Sequence, residues 1–358
     1  MPDTMRAQVF YEPGKMSLEE VPVPQIAEDE VLVRVNCCGI CGSDIAYYFG
    51  DASLETESGK GPLILGHEYA GTVVKRGSMA AGLLDEGDRV VLNPVQYCNA
   101  CGVCGKGQTN LCENKSVLGV SVDGGFAEYS KSKVTATYKL PDGVTLSQAA
   151  FAEPLADAVY AVQNASIGLG DFVVVFGPGA IGLMMVQLAK AYGAGTIVLV
   201  GTRDYRLEAG KAMGANVVLN PTDKDSQYYC ADVKEAIGDL TKGMFADRAI
   251  TATGSLDSMH MALEITGRKS IVVFFGLPGD ADVVHVPALP SILWDKTIRF
   301  SWLAPGTWPV ALQALANGLV DVSRLGTHTY PLESLVQGLT EVKNRVGNPL
   351  KAQVVLEA

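Results

Sequence analysis

The stretch Asp171-Phe172-Val173-Val174-Val175-Phe176-Gly177-Pro178-Gly179-Ala180-Ile181-Gly182 decides the fold of the middle of this chain. An apolar run of strand length leads into three closely spaced glycines, and an apolar-rich helical pattern, Leu183-Met184-Met185-Val186-Gln187-Leu188-Ala189, follows at once. A glycine spacing of this kind is weak when it stands alone. Placed between a strand and a helix it reads as a dinucleotide-binding turn. Gly177 permits the tight turn, Gly179 lets the backbone approach a pyrophosphate, and Gly182 allows close packing of helix on strand. The helix N-terminus, reached through Pro178, Ala180 and Ile181, supplies amide donors to phosphate.

The next strand, Thr196-Ile197-Val198-Leu199-Val200, ends in Gly201-Thr202-Arg203-Asp204. A carboxylate at such a strand end accepts the adenosine ribose hydroxyls of NAD, whereas an arginine nearby accommodates the 2′-phosphate of NADP. Here a hydroxyl, Thr202, and a guanidinium, Arg203, stand at the strand end, and Arg206 adds charge. NADP is therefore the favoured expectation over NAD, with Asp204 as the acid that could still serve a ribose. Apolar strands keep alternating with helical stretches through Ser270-Ile271-Val272-Val273-Phe274-Phe275-Gly276, which is enough for a six-stranded, doubly wound parallel sheet over about residues 156–299. Residues 1–155 read instead as short strands broken by Gly and Pro, and the terminal Gln353-Val354-Val355-Leu356 reads as a strand returning to that first domain, which then comprises residues 1–155 and 300–358.

Four cysteines, Cys98, Cys101, Cys104 and Cys112, fall within one short segment of the first domain. Thiolates at this spacing can converge on one ion, and four complete the tetrahedral shell of a closed, structural zinc site. An iron–sulfur run would have a shorter last gap followed by proline, but Glu113 follows Cys112. Eight cysteines in 358 residues is not a disulfide-dense composition. Cys37, Cys38 and Cys230 are expected to be buried packing.

A net charge of −11 repels phosphate backbones and argues against a nucleic-acid role for the cysteine lobe. With 48% apolar residues and 39 glycines, the composition suits an α/β protein with many tight turns, and no apolar stretch approaches a membrane span. The start, Met1-Pro2-Asp3-Thr4-Met5-Arg6-Ala7-Gln8, carries neither an apolar signal core nor an Arg-rich transit pattern, so a cytoplasmic location is expected.

A second, open metal site is assembled from separate motifs: Cys41 in Cys41-Gly42-Ser43-Asp44, His67 and Glu68 in Gly66-His67-Glu68-Tyr69, and Glu153 in Glu153-Pro154-Leu155. One thiolate, one imidazole and one carboxylate leave a position for water or substrate, which is what Lewis-acid catalysis requires. Taken singly, each is more often core packing or a solvated side chain. Their appearance together with the dinucleotide turn and the cysteine lobe gives them weight.

Together these motifs resemble the zinc-dependent medium-chain dehydrogenase/reductases, and the resemblance runs over essentially the whole chain, including Gly87-Asp88-Arg89-Val90-Val91 and Asp123-Gly124-Gly125-Phe126-Ala127-Glu128-Tyr129. Glu153-Pro154-Leu155 looks like the polyol (sorbitol) and threonine dehydrogenase branch, and Thr307-Trp308-Pro309-Val310-Ala311 looks like the sorbitol dehydrogenases within it. The resemblance implies a GroES-like β domain carrying both zincs, a Rossmann domain, and dimers or tetramers. It makes Cys41, His67 and Glu153 the candidate zinc shell, with Glu68 either ligating or holding the metal water, and Ser43 the hydroxyl that takes the alcohol proton. Two departures matter. Ala46 stands where many alcohol and threonine dehydrogenases have a relay histidine, leaving Tyr47 either to bind substrate or water or to serve as a core aromatic. Trp302 and Leu303 replace a more polar polyol-facing segment, which suggests a more apolar pocket. The expected activity is hydride transfer between NAD(P)(H) and a secondary alcohol, polyol or sugar-like substrate and its ketone. A threonine-type or simple alcohol dehydrogenase is the alternative within the family, and a metal-dependent lyase or hydrolase, or a non-catalytic binding protein, the alternatives outside it.

Overall fold

The computed structural model describes residues 2–356. The chain forms two compact units, one running up to Pro154 and including Pro305–Gly318 and the chain from Val322 onward, the other made of Leu155–Ala304 and Leu319–Asp321.

In the first unit the β-branched strand Glu30–Ile40 is the organising element. It pairs antiparallel with Glu68–Arg76 on one side and Lys351–Val355 on the other, and also with Tyr129–Lys133 near its start. The sheet extends outward through Arg89–Leu92 to Thr137–Lys139 at one end and through Gly326–Pro331 at the other. A separate three-stranded sheet joins Lys15–Pro22, Thr4–Glu12 and Leu63–Ile64. Val31, Val33, Val35, Tyr69, Val73, Val90, Leu92, Phe126 and Val354 fill the core between these layers, and each such side chain contributes about 1.5–3 kcal/mol when fully buried. The C-terminal strand thus lies inside the first unit's sheet, between Glu30–Ile40 and Gly326–Pro331. Trp308 opens the helix Trp308–Ala316 and is buried, its ring stacked on Tyr138 with centroids 5.4 Å apart. Its role in this unit is packing.

The second unit is a six-stranded parallel sheet in the order Val217–Leu219, Thr196–Val200, Phe172–Phe176, Ala246–Thr251, Thr266–Phe274, Thr297–Phe300. Its inner strands are buried along most of their apolar runs, with Phe172 and Ile271 half-buried, as suits a sheet covered on both faces. Phe176 pairs with Val200 on one side and Thr251 on the other, so the strand order reverses beside Phe172–Phe176. Gly177 therefore starts at the topological switch point, where doubly wound sheets bind ligands. Among the described residues no helix is long and apolar enough to cross a membrane.

Candidate active site

Cys41 follows directly on the strand Glu30–Ile40 and is the N-cap of the helix Gly42–Phe49. Asp44, three residues on, accepts a hydrogen bond from the Cys41 backbone N–H at 2.8 Å through Oδ2, a capping-box contact that fixes where the thiol points. Its other oxygen accepts from the Gly66 backbone N–H at 3.2 Å and lies 3.7 Å from His67 Nδ1. One fully buried carboxylate thus ties the cysteine segment to the histidine segment. His67 Nε2 is left facing Ser43 Oγ at 3.5 Å.

Glu68 opens the strand Glu68–Arg76 and sits across from Gly39. A side chain at position 39 would come closer than 3.0 Å to the Glu68 carboxylate, so the glycine makes room for it. Donor atoms of Cys41, His67 and Glu68 all lie within 4.8 Å of one another. Glu153, expected to be the third ligand, is buried in the first turn of Ala152–Ala165 but lies outside that converging group. Its charge still acts on His67 and on Lys351.

Lys351 has the signature of a site residue that sequence reasoning missed. It begins the C-terminal strand, its neighbour Ala352 pairs with Ile40, and its ammonium forms an ion pair with Glu68 while both side chains are buried. Burial opposes the charge on Lys351, but Glu68 and Cys41 outweigh it and hold the pKa well above its ordinary value. His67 behaves likewise: burial lowers its pKa, but the facing Cys41 and Asp44 outweigh burial and raise it well above its ordinary value. The cluster is anion-rich and holds soft and hard donors together, which is the chemistry a zinc ion fits. Tyr47 is half-buried against the core of its unit, and burial pushes its pKa up to about 12.

The cysteine lobe is a second converging group, the four Sγ atoms of Cys98, Cys101, Cys104 and Cys112 lying within 4.8 Å of one another. Backbone amides aim at the sulfurs: Ala100 and Cys101 donate to Cys98 Sγ at 3.4 and 3.3 Å, and Cys98 donates to Cys112 Sγ at 3.3 Å. The amides of Ala100 and Cys101 bring the Cys98 thiol down to about 6. That favours thiolate, the form that binds metal, at Cys98, whereas burial pushes the Cys104 thiol up to about 12. All eight cysteines stand as free thiols, so no disulfide competes with this role.

The glycine turn also fits its expected ligand. Gly177 has φ +96°, a conformation that L side chains rarely adopt, and a side chain at Gly182 would meet the Gly177 carbonyl. At Gly179, the N-cap of Ala180–Ala191, an added Cβ meets no atom within 4 Å. That open space over a helix N-terminus is room for a pyrophosphate. At the end of the neighbouring strand Thr202 is exposed, Arg203 is the N-cap of Asp204–Ala212, and Arg206 Nε donates to Tyr205 Oη at 2.8 Å. Asp204 is engaged elsewhere. It accepts from Ser226 Oγ at 2.6 Å and Asn220 Nδ2 at 3.0 Å, and these bonds lower its pKa. The sequence left it available for a ribose; the fold ties it to the segment that follows Val217–Leu219.

Comparison with known proteins agrees with this geometry. Residues 27–142 match the alcohol dehydrogenase GroES-like domain, and residues 180–317 match the zinc-binding dehydrogenase domain. The chain is 32% identical to a sorbitol dehydrogenase of Bacillus subtilis, over 99% of this chain and 98% of that one. Among solved structures it resembles a zinc-binding dehydrogenase from Sinorhizobium meliloti bound to NADP, with TM-score 0.89, 27% identity and coverage of 99% and 100% of the two chains. It also resembles an alcohol dehydrogenase from Escherichia coli complexed with NADH, with TM-score 0.88, 27% identity and the same coverage. A match over nearly the full length to dehydrogenases removes the lyase, hydrolase and non-catalytic alternatives. The chain belongs to the zinc-dependent medium-chain dehydrogenase/reductases, an enzyme of their alcohol and polyol dehydrogenase group.

Proposed function

We propose that this enzyme oxidises a secondary alcohol, polyol or sugar-like substrate to its ketone, or runs the reverse reaction, with Cys41, His67 and Glu68 holding the catalytic zinc and Cys98, Cys101, Cys104 and Cys112 a structural one. The observation that carries this reading is the convergence of Cys41, His67 and Glu68 within 4.8 Å. Glu153 stands behind them as a carboxylate that could exchange with Glu68 or water. Zinc bound there supplies Lewis-acid polarisation of the alcohol oxygen, and the nicotinamide supplies the hydride acceptor. Ser43 takes the hydroxyl proton through Oγ and passes it outward, with Ala46 offering no imidazole to relay it. Asp44 keeps the His67 ring oriented, and Lys351 compensates the buried charge of Glu68.

NADP is the preferred cofactor in this reading, with Thr202, Arg203 and Arg206 around the 2′-phosphate. Support comes from the engagement of Asp204 by Ser226 and Asn220, which withdraws the nearest acid from a ribose. A homo-oligomer is supported by the apolar surface on Ala288–Leu293 and Thr297–Phe300, where Ile292, Leu293 and Phe300 are 74%, 70% and 77% exposed. Free thiols throughout suit a reducing compartment such as the cytoplasm.

The test is a panel of alcohols, polyols and ketones, run with zinc and with each cofactor, following the absorbance of reduced nicotinamide. Turnover of at least one secondary alcohol or ketone class is expected, with the lower KM for NADP(H). No turnover across the panel, or full activity in Cys41→Ala, would overturn the assignment.

A further inference from the structure

The strand end that reads as the adenosine site holds glycine at position 201 for a reason that lies in the neighbouring turn. A Cβ built at Gly201 falls closer than 3.0 Å to both Cγ and Cδ of Pro178, and 3.3 Å from Leu207 Cδ2. A proline ring is rigid, so it cannot swing aside as the tip of a lysine would. Nor can the backbone slide to relieve the contact. Gly177 donates to the Val200 carbonyl at 2.9 Å, and Gly201 donates to the Leu219 carbonyl at 3.0 Å. These bonds clamp the residues flanking the contact to each other and to the next strand. The position from which a ribose-binding carboxylate would project is therefore sterically closed, while the acid three residues on, Asp204, is held by Ser226 and Asn220.

We infer that Pro178 is a specificity-determining residue for the cofactor: its ring bars any side chain from position 201, and so leaves the adenosine 2′ position to Thr202, Arg203 and Arg206. The inference rests on the NADP reading proposed above. Its mechanism is exclusion, since a carboxylate at position 201 would both attract ribose hydroxyls and repel a 2′-phosphate. Pro178 and Gly201 are then one unit, and neither position can be exchanged for a ribose-binding alternative alone.

The experiment compares five proteins with the wild type: Pro178→Ala, Gly201→Ala, Gly201→Asp, and the doubles Pro178→Ala/Gly201→Ala and Pro178→Ala/Gly201→Asp. Melting temperatures of the cofactor-free proteins and calorimetric Kd values for NADH and NADPH are measured. Gly201→Ala and Gly201→Asp alone are expected to melt several degrees below wild type and to gain no NADH affinity. Adding Pro178→Ala restores much of the melting temperature. It also lets Gly201→Asp bind NADH about ten-fold or more tighter than the single variant, the scale of charge-assisted hydrogen bonds to a ribose. Gly201→Asp alone matching its double in both melting temperature and NADH affinity would overturn the inference. The alanine pair reads the steric coupling even where the aspartate folds poorly. A wild type that binds NADH more tightly than NADPH would defeat the NADP reading itself, and that result is separable, because the non-additivity in melting temperature does not depend on which cofactor is preferred.

Discussion

The two cysteine-bearing centres of this enzyme are built by opposite strategies. In the lobe, four thiols come from one short segment, and the amides that tune them belong to Cys98, Ala100 and Cys101 themselves. In the open site, Cys41, His67 and Glu68 come from the adjoining ends of two strands of one sheet, Asp44 ties the cysteine and histidine segments together, and Lys351 reaches Glu68 from 283 residues away. A closed site of the first kind needs only a loop that can fold onto its ion. An open site of the second kind has donors held in place by the sheet, which allows a coordination position to stay free for substrate. The difference fits the roles proposed above, in which the conspicuous cluster would support structure and the dispersed one chemistry.

The sharpest way to break this contrast is Cys41→Ala. Loss of the zinc shell removes several kcal/mol of transition-state stabilisation, so kcat/KM is expected to fall by about a thousand-fold or more. The melting temperature should change little, because the hydrogen bond that the Cys41 backbone N–H donates to Asp44 at the start of the helix survives the loss of the thiol. Steady-state kinetics beside a thermal melt check both halves. A collapse of folding would mean that the open site is structural too.

Lys351→Met probes how far the open site depends on the sheet. Glu68 would be left buried without its partner, and removing one member of a buried pair costs about 3–5 kcal/mol. The cost should be largest in metal-free protein and smaller with zinc, which offers Glu68 another cation. Denaturant unfolding with and without zinc measures it, and equal losses in the two states would show that Glu68 does not turn to the metal. Asp44→Asn is a milder version. The amide can still cap Cys41 but no longer presents a carboxylate to His67, and zinc affinity or activity should drop by about 10–100-fold. Competition with a chromogenic chelator reads that change.

Cys101→Ala sharpens the other side. It is expected to lower the melting temperature and the zinc content while leaving kcat at low temperature nearly unchanged, as measured by melts, metal analysis and kinetics on the same preparation. A loss of kcat comparable to that of Cys41→Ala would erase the distinction between the two centres.

Much of this was open to reading in the chain. The turn from Phe176 to Gly182 declares its strand and its helix through local stereochemistry, and the spacing of the lobe cysteines declares that their thiols can converge. Asp44 was also within reach, because an acid three residues after an N-cap is a capping signal, yet its second bond to Gly66 depends on a segment 22 residues on. Lys351 was out of reach. In sequence it is a lysine near the end of the chain after Asn348-Pro349-Leu350, indistinguishable from a surface charge. Glu153 was readable as a candidate ligand, but whether it or Glu68 joins Cys41 and His67 depends on which carboxylate the sheet register brings forward.

By itself, then, the sequence determined the elements whose physics is local: backbone conformations that only glycine tolerates, apolar runs long enough to be buried strands, and thiols spaced to share an ion. Only the tertiary structure decided which distant charges are buried together, that Glu68 is paired with Lys351, that Asp204 is withdrawn by Ser226 and Asn220, and that Pro178 closes position 201. The physical reason is that desolvation and steric exclusion act between whatever groups the fold brings within a few ångströms, and separation along the chain carries no record of that distance.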